Sequence, residues 1–198
     1  MTIFKLTEQN TAEAVSKAVT VLRNGGLVIF PTETCYGIGA DATNQKAVDR
    51  LFQYKTKREG KPISVIVSDK EMARKYVELG SVTESAYDKY LPGPFTIISK
   101  SLGNTAEGIA SKQGTLGIRI PDYNLVTNIS KEFGKPFTAT SANISGAPSP
   151  YSIEKWSEQT PHECQDLVGL VLDAGDLPKN EPSTIVDTTN GLIEIRVR

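Results

Sequence analysis

The sequence predicts an α/β fold: a single domain over residues 1–198, built on a twisted, mostly mixed β-sheet with flanking helices. Three observations predict it. Helix-period and strand-like segments alternate along the chain with no long low-complexity linker and no repeat of fixed period. LVIF at 27–30 is continuously apolar, as strands buried on both faces are, and ISVIV at 63–67 reads as the next buried strand. The composition is 38% hydrophobic and 23% charged with a net charge of -1, which fits a folded protein and excludes disordered, collagen-like and disulfide-stapled classes.

Taken in order, Asn10 with Glu13 resembles a capping box, and Val15, Ala18, Val19 and Leu22 then recur at helical spacing until Asn24-Gly25-Gly26 stops the helix. The buried strand 27–30 follows. A second helix is expected over 44–54 with Ala47, Val48, Leu51 and Phe52 inward, and then the strand 63–67. Ser68 with Glu71 and Ser81 with Glu84 signal two further helices, the second ended by Pro92-Gly93-Pro94 ahead of a strand at 95–99. A polar, glycine-containing segment at 101–114 leads to LGIRI at 116–120, a strand with a cation at its centre. A helix through Leu125, Val126, Ile129 and Phe133, a strand at 136–139, a helix near 152–158 and strands at 168–172, 184–187 and 192–196 complete the alternation.

Two cysteines, Cys35 and Cys164, and one histidine, His162, limit the chemistry. Three or four Cys, His or carboxylate ligands at metal-site spacing are not apparent, and a Ser-His-Asp or Cys-His machine would have to use His162, which lies in a polar stretch expected to be a surface loop. Cys35 has Thr34 and Tyr36 as neighbours and is expected to be a buried, inert thiol. No basic segment followed by an apolar one opens the chain, and no 18-residue apolar window occurs, so a cytoplasmic protein without a membrane span is expected.

What remains is chemistry by cations, hydroxyls and backbone amides. Pro31-Thr32-Glu33-Thr34 ends the first core strand and runs into Tyr36-Gly37-Ile38-Gly39, a polar pocket edge or a strand-ending turn. Lys55-Thr56-Lys57-Arg58-Glu59-Gly60-Lys61 puts four cations in seven residues, either a solvated helix end or a phosphate clamp. Arg119 in an apolar strand is costly unless it reaches a pocket or an anion, and Thr115 four residues earlier could share that cavity. Ser141-Ala142-Asn143, with Thr140 and Ser145 beside it, offers hydroxyl and amide groups that orient a ligand without titrating.

In order, PTETCYGIGA, KTKREGKPISV, LPGPFT, TLGIRIP, TSANISG and STIVD resemble the TsaC/YrdC family of threonylcarbamoyl-adenylate synthases, over about residues 12–196. The resemblance implies a sheet around a large, concave, positively lined cavity, and a nucleotidyltransferase that joins L-threonine, bicarbonate or CO2 and ATP into threonylcarbamoyl-AMP and pyrophosphate. The product would pass to a tRNA threonylcarbamoyl-transferase complex for N6-threonylcarbamoylation of adenosine 37. It further implies that Thr32, Arg119 and Ser183 hold threonine. Lys55 and either Lys57 or Arg58 would fill the catalytic K-x-R positions, and Lys57, Lys61, Thr115, Ser141, Asn143, Tyr151 and Arg196 would contact the nucleotide. After Arg196 the family usually continues with Pro-Gly, whereas this sequence ends at Val197-Arg198, which fits a form without an appended C-terminal domain. Mg2+ is expected to arrive with ATP, held by phosphates and water. The 101–114 segment is a candidate lid over a labile carbamate. Two other readings stand beside this one. One is a non-catalytic RNA-binding module using the Lys55 to Lys61 cluster, against which the net charge of -1 counts; the other is a carbamoyl-phosphate transferase, whose relatives are much longer and cysteine-rich.

Overall fold

In the computed structural model, which describes residues 1–56, 60–191 and 193–196, the alternating elements assemble on one sheet. Among the described residues its strands are β1 (Thr2–Lys5), β2 (Leu27–Phe30), β3 (Gly37–Gly39), β4 (Ser64–Ile66), β5 (Phe95–Lys100), β6 (Thr115–Arg119), β7 (Phe137–Ser141), β8 (Val168–Asp173), β9 (Thr184–Asp187) and β10 (Glu194–Arg196). They lie in the order β1-β8-β2-β3-β7-β4-β6-β5-β9-β10. β1 and β2 run parallel to β8, β4 to β6 and β5 to β9, whereas β3, β7 and β10 pair antiparallel, so the sheet is mixed as expected. The helices are α1 (Thr11–Arg23), α2 (Gln45–Lys55), α3 (Lys70–Ala73), α4 (Ser81–Tyr90), α5 (Asn124–Phe133), α6 (Ile153–Gln159) and α7 (His162–Gln165).

Alternation of side chains across each strand sorts the sheet into two faces. On one face Ile38, Val65, Ile97, Leu116 and Ile118 join Val48, Leu51 and Tyr54 of α2 and Trp156 of α6 in the larger core. On the other, α1 and α5 cover Val28, Phe30, Ile66, Phe137, Leu170 and Leu172. Those two helices reach over only part of that face. Beyond them Gly37, Ser64, Thr96, Arg119, Ala139 and Ser141 line an open cavity. Arg119 therefore occupies the middle of an apolar stretch without entering the core, because Leu116, Ile118 and Ile120 take one face of β6 and Arg119 the other.

Several expectations need correcting. β1 and β3 were not expected. β3 is a strand because its two glycines let rings close on it: a Cβ at Gly39 would lie 2.8 Å from Phe137 Cδ2 and 3.0 Å from Phe30 Cε1. The Asn10 side chain accepts from Thr7 N–H and donates to Lys5 carbonyl, so it closes the preceding turn instead of capping α1. Asp69, not Ser68, caps α3 by accepting from Met72 N–H, and Ser81 is the first residue of α4 behind Gly80. On α2, Tyr54 and Lys55 are buried while Phe52 is only half-buried. His162 is exposed on α7, a helix and not a loop. The 101–114 segment is fastened down: Leu102 N–H donates to Tyr76 carbonyl, Ala106 N–H to Ala42 carbonyl, and the buried Ile109 accepts from Ile63 N–H at 3.0 Å. In this structure the segment expected as a lid is thus hydrogen-bonded at three places to the body of the fold.

Candidate active site

The cavity has a volume of about 250 Å3 and is walled by Thr32, Thr34, Ser64, Thr96, Thr140, Ser141, Ser149 and Ser183, with Phe30 and Ile66 at its apolar floor. Arg119 is the charged residue in its wall among the described residues. Among the described residues the wall is thus a hydroxyl lining with one guanidinium, and Lys57 and Arg58 of the expected positive lining lie outside them.

Arg119, at the C-terminal end of β6, is 9% exposed. Its Nη2 lies 2.9 Å from Glu33 Oε1 and donates to Thr34 Oγ1 at 3.2 Å. The ion pair is close, yet its geometry leaves both Glu33 oxygens and Arg119 Nε without a hydrogen bond. A buried guanidinium with an idle donor in a hydroxyl-lined cavity is suited to a carboxylate, which can take the fork without displacing a stronger bond.

Thr32 builds the turn that carries both partners of Arg119. Its Oγ1 donates to Cys35 carbonyl at 2.7 Å and accepts from the Thr34 and Cys35 amides at 3.1 and 3.2 Å. The same hydroxyl meets Thr34 Oγ1 at 2.9 Å, so a polar chain runs from Arg119 through Thr34 to Thr32. Behind it the Tyr36 phenol donates to Gly175 carbonyl, and burial pushes its pKa well above the ordinary tyrosine range. Opposite, Thr96 and Ser183 share a hydroxyl contact of 3.2 Å where β5 meets the residue before β9.

The Ser141 to Ala147 turn forms the third side. Ser141 Oγ donates to Asn143 Oδ1, and Asn143 Nδ2 donates to Ala147 carbonyl, so the Asn143 amide closes the turn from both ends. Gly146 completes it at φ +90°, a backbone region that side chains disfavour. Lys55, 7% exposed at the end of α2, lies under this turn and donates to Ser141 and Asn143 carbonyls at 2.5 and 2.8 Å. Burial lowers its pKa from 10.5 to about 8.

Of the residues expected at a site, Thr32, Arg119, Ser141, Tyr151 and Ser183 line the cavity together. Lys55 and Asn143 stand directly behind its wall. Thr115 is not in the wall: it lies at the far end of β6 from Arg119, where its Oγ1 meets Ser111 Oγ at 2.7 Å. Lys61 is exposed just before Pro62, a wall residue. Arg196 is the last residue of β10, its backbone in register with Ile185, and its side chain lies outside the described residues. Lys57 and Arg58 also lie outside them, so the choice between the two stays open. Thr34 lines the wall beside Thr32, as the reading of 31–34 as a pocket edge expects, whereas sequence reasoning missed Thr96, Ser149 and Asn180 as wall residues.

Cys35 is half-buried in the wall, and desolvation raises its pKa against the pull of Arg119 and Lys55. Desolvation thus favours the protonated thiol, although cations do approach it in space. Among the described residues no three His, Cys, Asp or Glu side chains gather, and the carboxylate nearest the cavity, Glu33, already faces Arg119. This donor set does not fit a divalent ion held by the protein. No helix among the described residues is long and apolar enough to cross a membrane.

Comparison with known proteins agrees with this architecture. The Sua5/YciO/YrdC family model, described as telomere recombination, matches residues 20–198. A putative threonylcarbamoyl-AMP synthase of Methanocaldococcus jannaschii is 35% identical over 93% of this chain and 84% of its own length. The threonylcarbamoyl-AMP synthase of Pseudoalteromonas translucida is 29% identical, covering 95% of this chain and 98% of its own. The crystal structure of P. abyssi Sua5 complexed with L-threonine superposes with a TM-score of 0.85 at 28% identity over 94% of this chain, which spans only 54% of that protein. A solution structure from Methanobacterium thermoautotrophicum is 37% identical, with a TM-score of 0.71 over 100% of this chain and 91% of its own. A family model that matches nearly the whole chain, and relatives and structures that share its mixed sheet, establish that the chain belongs to the Sua5/YciO/YrdC family.

Proposed function

We propose that this protein is an L-threonylcarbamoyl-AMP synthase, a nucleotidyltransferase that converts L-threonine, bicarbonate or CO2 and ATP into threonylcarbamoyl-AMP and pyrophosphate. The observation that carries the reading is Arg119: a buried guanidinium in the wall of a hydroxyl-lined cavity, with its Nε left without a partner. An amino-acid carboxylate fits that donor. The names of the relatives and the threonine-bound state of the P. abyssi protein support the same assignment.

The chemistry asks little of acid or base groups. The threonine amine, once deprotonated, bonds to the carbonate carbon and forms a carbamate; from bicarbonate, a water leaves. A carbamate oxygen then attacks the α-phosphorus of ATP in line as the bond to the bridging oxygen breaks and pyrophosphate departs. Arg119 fixes the carboxylate, Ser183 and Thr96 supply hydroxyls beside it, and the Thr32 turn holds Thr34 and Glu33 against the guanidinium. The Ser141 to Ala147 turn is the surface for the phosphates, with Tyr151 and Lys61 toward the mouth. Positioning and charge neutralisation do the work, so a lone exposed histidine and a protonated thiol are no handicap. At about 250 Å3 the cavity is below the roughly 300–1,000 Å3 of pockets that enclose whole drug-sized ligands, which suits the amino acid and the reacting phosphate with the adenosine outside its rim. Mg2+ would come with the triphosphate and its waters. The adenylate would serve a transferase that modifies adenosine 37 of tRNA, which makes the cytoplasm the place of work.

A non-catalytic RNA-binding module is not favoured. Its basic run would have to face solvent, yet Lys55 is buried and bonded inward. The deciding experiment measures pyrophosphate release while omitting one substrate at a time. Release that requires both threonine and bicarbonate is expected; release indifferent to threonine refutes the proposal.

A further inference from the structure

Three successive carbonyls of the phosphate-facing turn, those of Ser141, Ala142 and Asn143, are each tied to the last two residues of α2. Lys55 takes the first and third, and the Tyr54 phenol donates to the second. Tyr54 is in turn held from the other side: Trp156 Nε1 of α6 donates to its oxygen at 2.7 Å. Tyr54 and Trp156 are both fully buried, so neither oxygen nor indole N–H has water to fall back on. Burial also raises the Tyr54 pKa to about 12, and it stays a donor across the working range.

The consequence lies in the direction of the turn. A carbonyl lone pair facing a phosphate repels it, and these three carbonyls are occupied on the helix side instead. The amides of Asn143, Ile144 and Gly146 meanwhile find no hydrogen-bond partner among the described residues. Two adjacent free amides, those of Asn143 and Ile144, with that of Gly146 beyond the Ser145 amide that donates to Lys55 carbonyl, lie in a turn with a left-handed glycine, a concavity that favours anions. We propose that Tyr54, braced by Trp156, is a positioning residue for the nucleotide: it keeps the Ser141 to Ala147 turn in the form that offers its amides to the triphosphate. It touches no substrate. The proposal rests on the adenylate-synthase reading and adds a residue pair, on α2 and α6, that the expected site residues do not include.

The test compares wild type with Tyr54→Phe and Trp156→Phe by steady-state pyrophosphate release at varied ATP and varied threonine, by calorimetric titration with a non-hydrolysable ATP analogue, and by thermal melting. Tyr54→Phe keeps the ring and deletes the tie. The KM for ATP and the Kd for the analogue should rise about fivefold to tenfold, the KM for threonine should stay within about twofold, and Trp156→Phe should shift the same constants less. Nucleotide and threonine constants that move equally, or not at all, overturn the proposal, as does a wild-type protein that does not bind the analogue. If wild type binds the analogue but releases no threonine-dependent pyrophosphate, the function reading fails while the titration still decides the tie. If Tyr54→Phe does not fold, Trp156→Phe must show the same split for the proposal to stand.

Discussion

Replacing Arg119 with alanine removes the carboxylate anchor and strands its counter-ion in one change. The magnitude follows from the geometry. Arg119 keeps Nε idle, and its Nη2 lies 2.9 Å from Glu33 and 3.2 Å from Thr34. A charge-assisted hydrogen bond contributes about 1.5–3 kcal/mol, so the KM for threonine should rise about 10- to 150-fold while the KM for ATP changes little. Removing one partner of a buried ion pair costs about 3–5 kcal/mol of stability, and with Glu33 still 19% exposed the loss should fall at or below the low end. The double variant Glu33→Gln with Arg119→Ala separates the two effects. It should recover much of the melting temperature, because no unpaired carboxylate remains, without recovering the threonine KM. Pyrophosphate release at varied threonine and varied ATP, with thermal melting of all variants, reads both. Equal small changes in the two KM values, or a double variant that restores threonine affinity, would refute the placement of the carboxylate at Arg119.

Lys55 predicts a pH dependence of stability. Its folded pKa of about 8 lies below the ordinary 10.5, so the unfolded chain holds this proton longer. Stability therefore rises as pH climbs from about 8 toward 10.5, as the cost of burying the charge is relieved, and that component is absent below 8. In Lys55→Met this rise should vanish from denaturation midpoints measured across the window, and an unchanged slope would show that Lys55 keeps an ordinary pKa. Gly39→Ala forces a methyl against Phe137 and Phe30 and should destabilise by about 1–3 kcal/mol, roughly 2–12 °C of melting temperature for a chain of this size; a neutral result would mean the rings yield freely. Cys35 should react slowly with iodoacetamide at neutral pH and faster as pH rises, and threonine should slow it further, read by peptide mass spectrometry. Rapid neutral labelling would reveal a thiolate that burial does not suppress.

Much of this was legible in the sequence, and where it was not the cause is tertiary. The apolar run at 27–30 and the spacing of Ala47, Val48 and Leu51 announced β2 and α2, because a doubly buried strand and an amphipathic helix leave their mark in nearby residues. β3, two glycines around Ile38, carries no local strand propensity; it exists because Phe30 and Phe137, from other strands, need the space that a Cβ would take. The site divides the same way. Arg119, Thr32 and Ser141 were visible as polar residues where an apolar pattern ends. Thr96 and Asn180 were not, since a threonine in a strand and an asparagine in a loop look ordinary until the fold brings β5 and the β8 to β9 connection to one cavity. Lys55 was read in a basic run that could be a solvated helix end or a phosphate clamp, and its ties to the 141 and 143 carbonyls depend on a turn 86 and 88 residues away.

The pairing of Arg119 with Glu33 explains how a cation is kept at this depth in the wall of a cavity meant for anions. An unpaired guanidinium at this depth would carry a large desolvation cost, and a fully hydrogen-bonded pair would leave nothing for a substrate. Here the contact is electrostatic without being saturated: the charges lie within 2.9 Å, but Nε and both carboxylate oxygens keep their hydrogen-bonding capacity. An arriving carboxylate can therefore pair with a guanidinium whose donors are not all used while Glu33 stays in place, which puts two carboxylates beside one guanidinium. That excess carboxylate beside the bound amino acid would favour keeping its amine protonated, so loss of that proton has to be driven by carbamate formation itself. Glu33→Gln should accordingly shift the pH profile of kcat toward lower pH, because the neutral amide no longer stabilises the ammonium of the bound threonine. A profile that does not move would show that Glu33 acts on Arg119 alone.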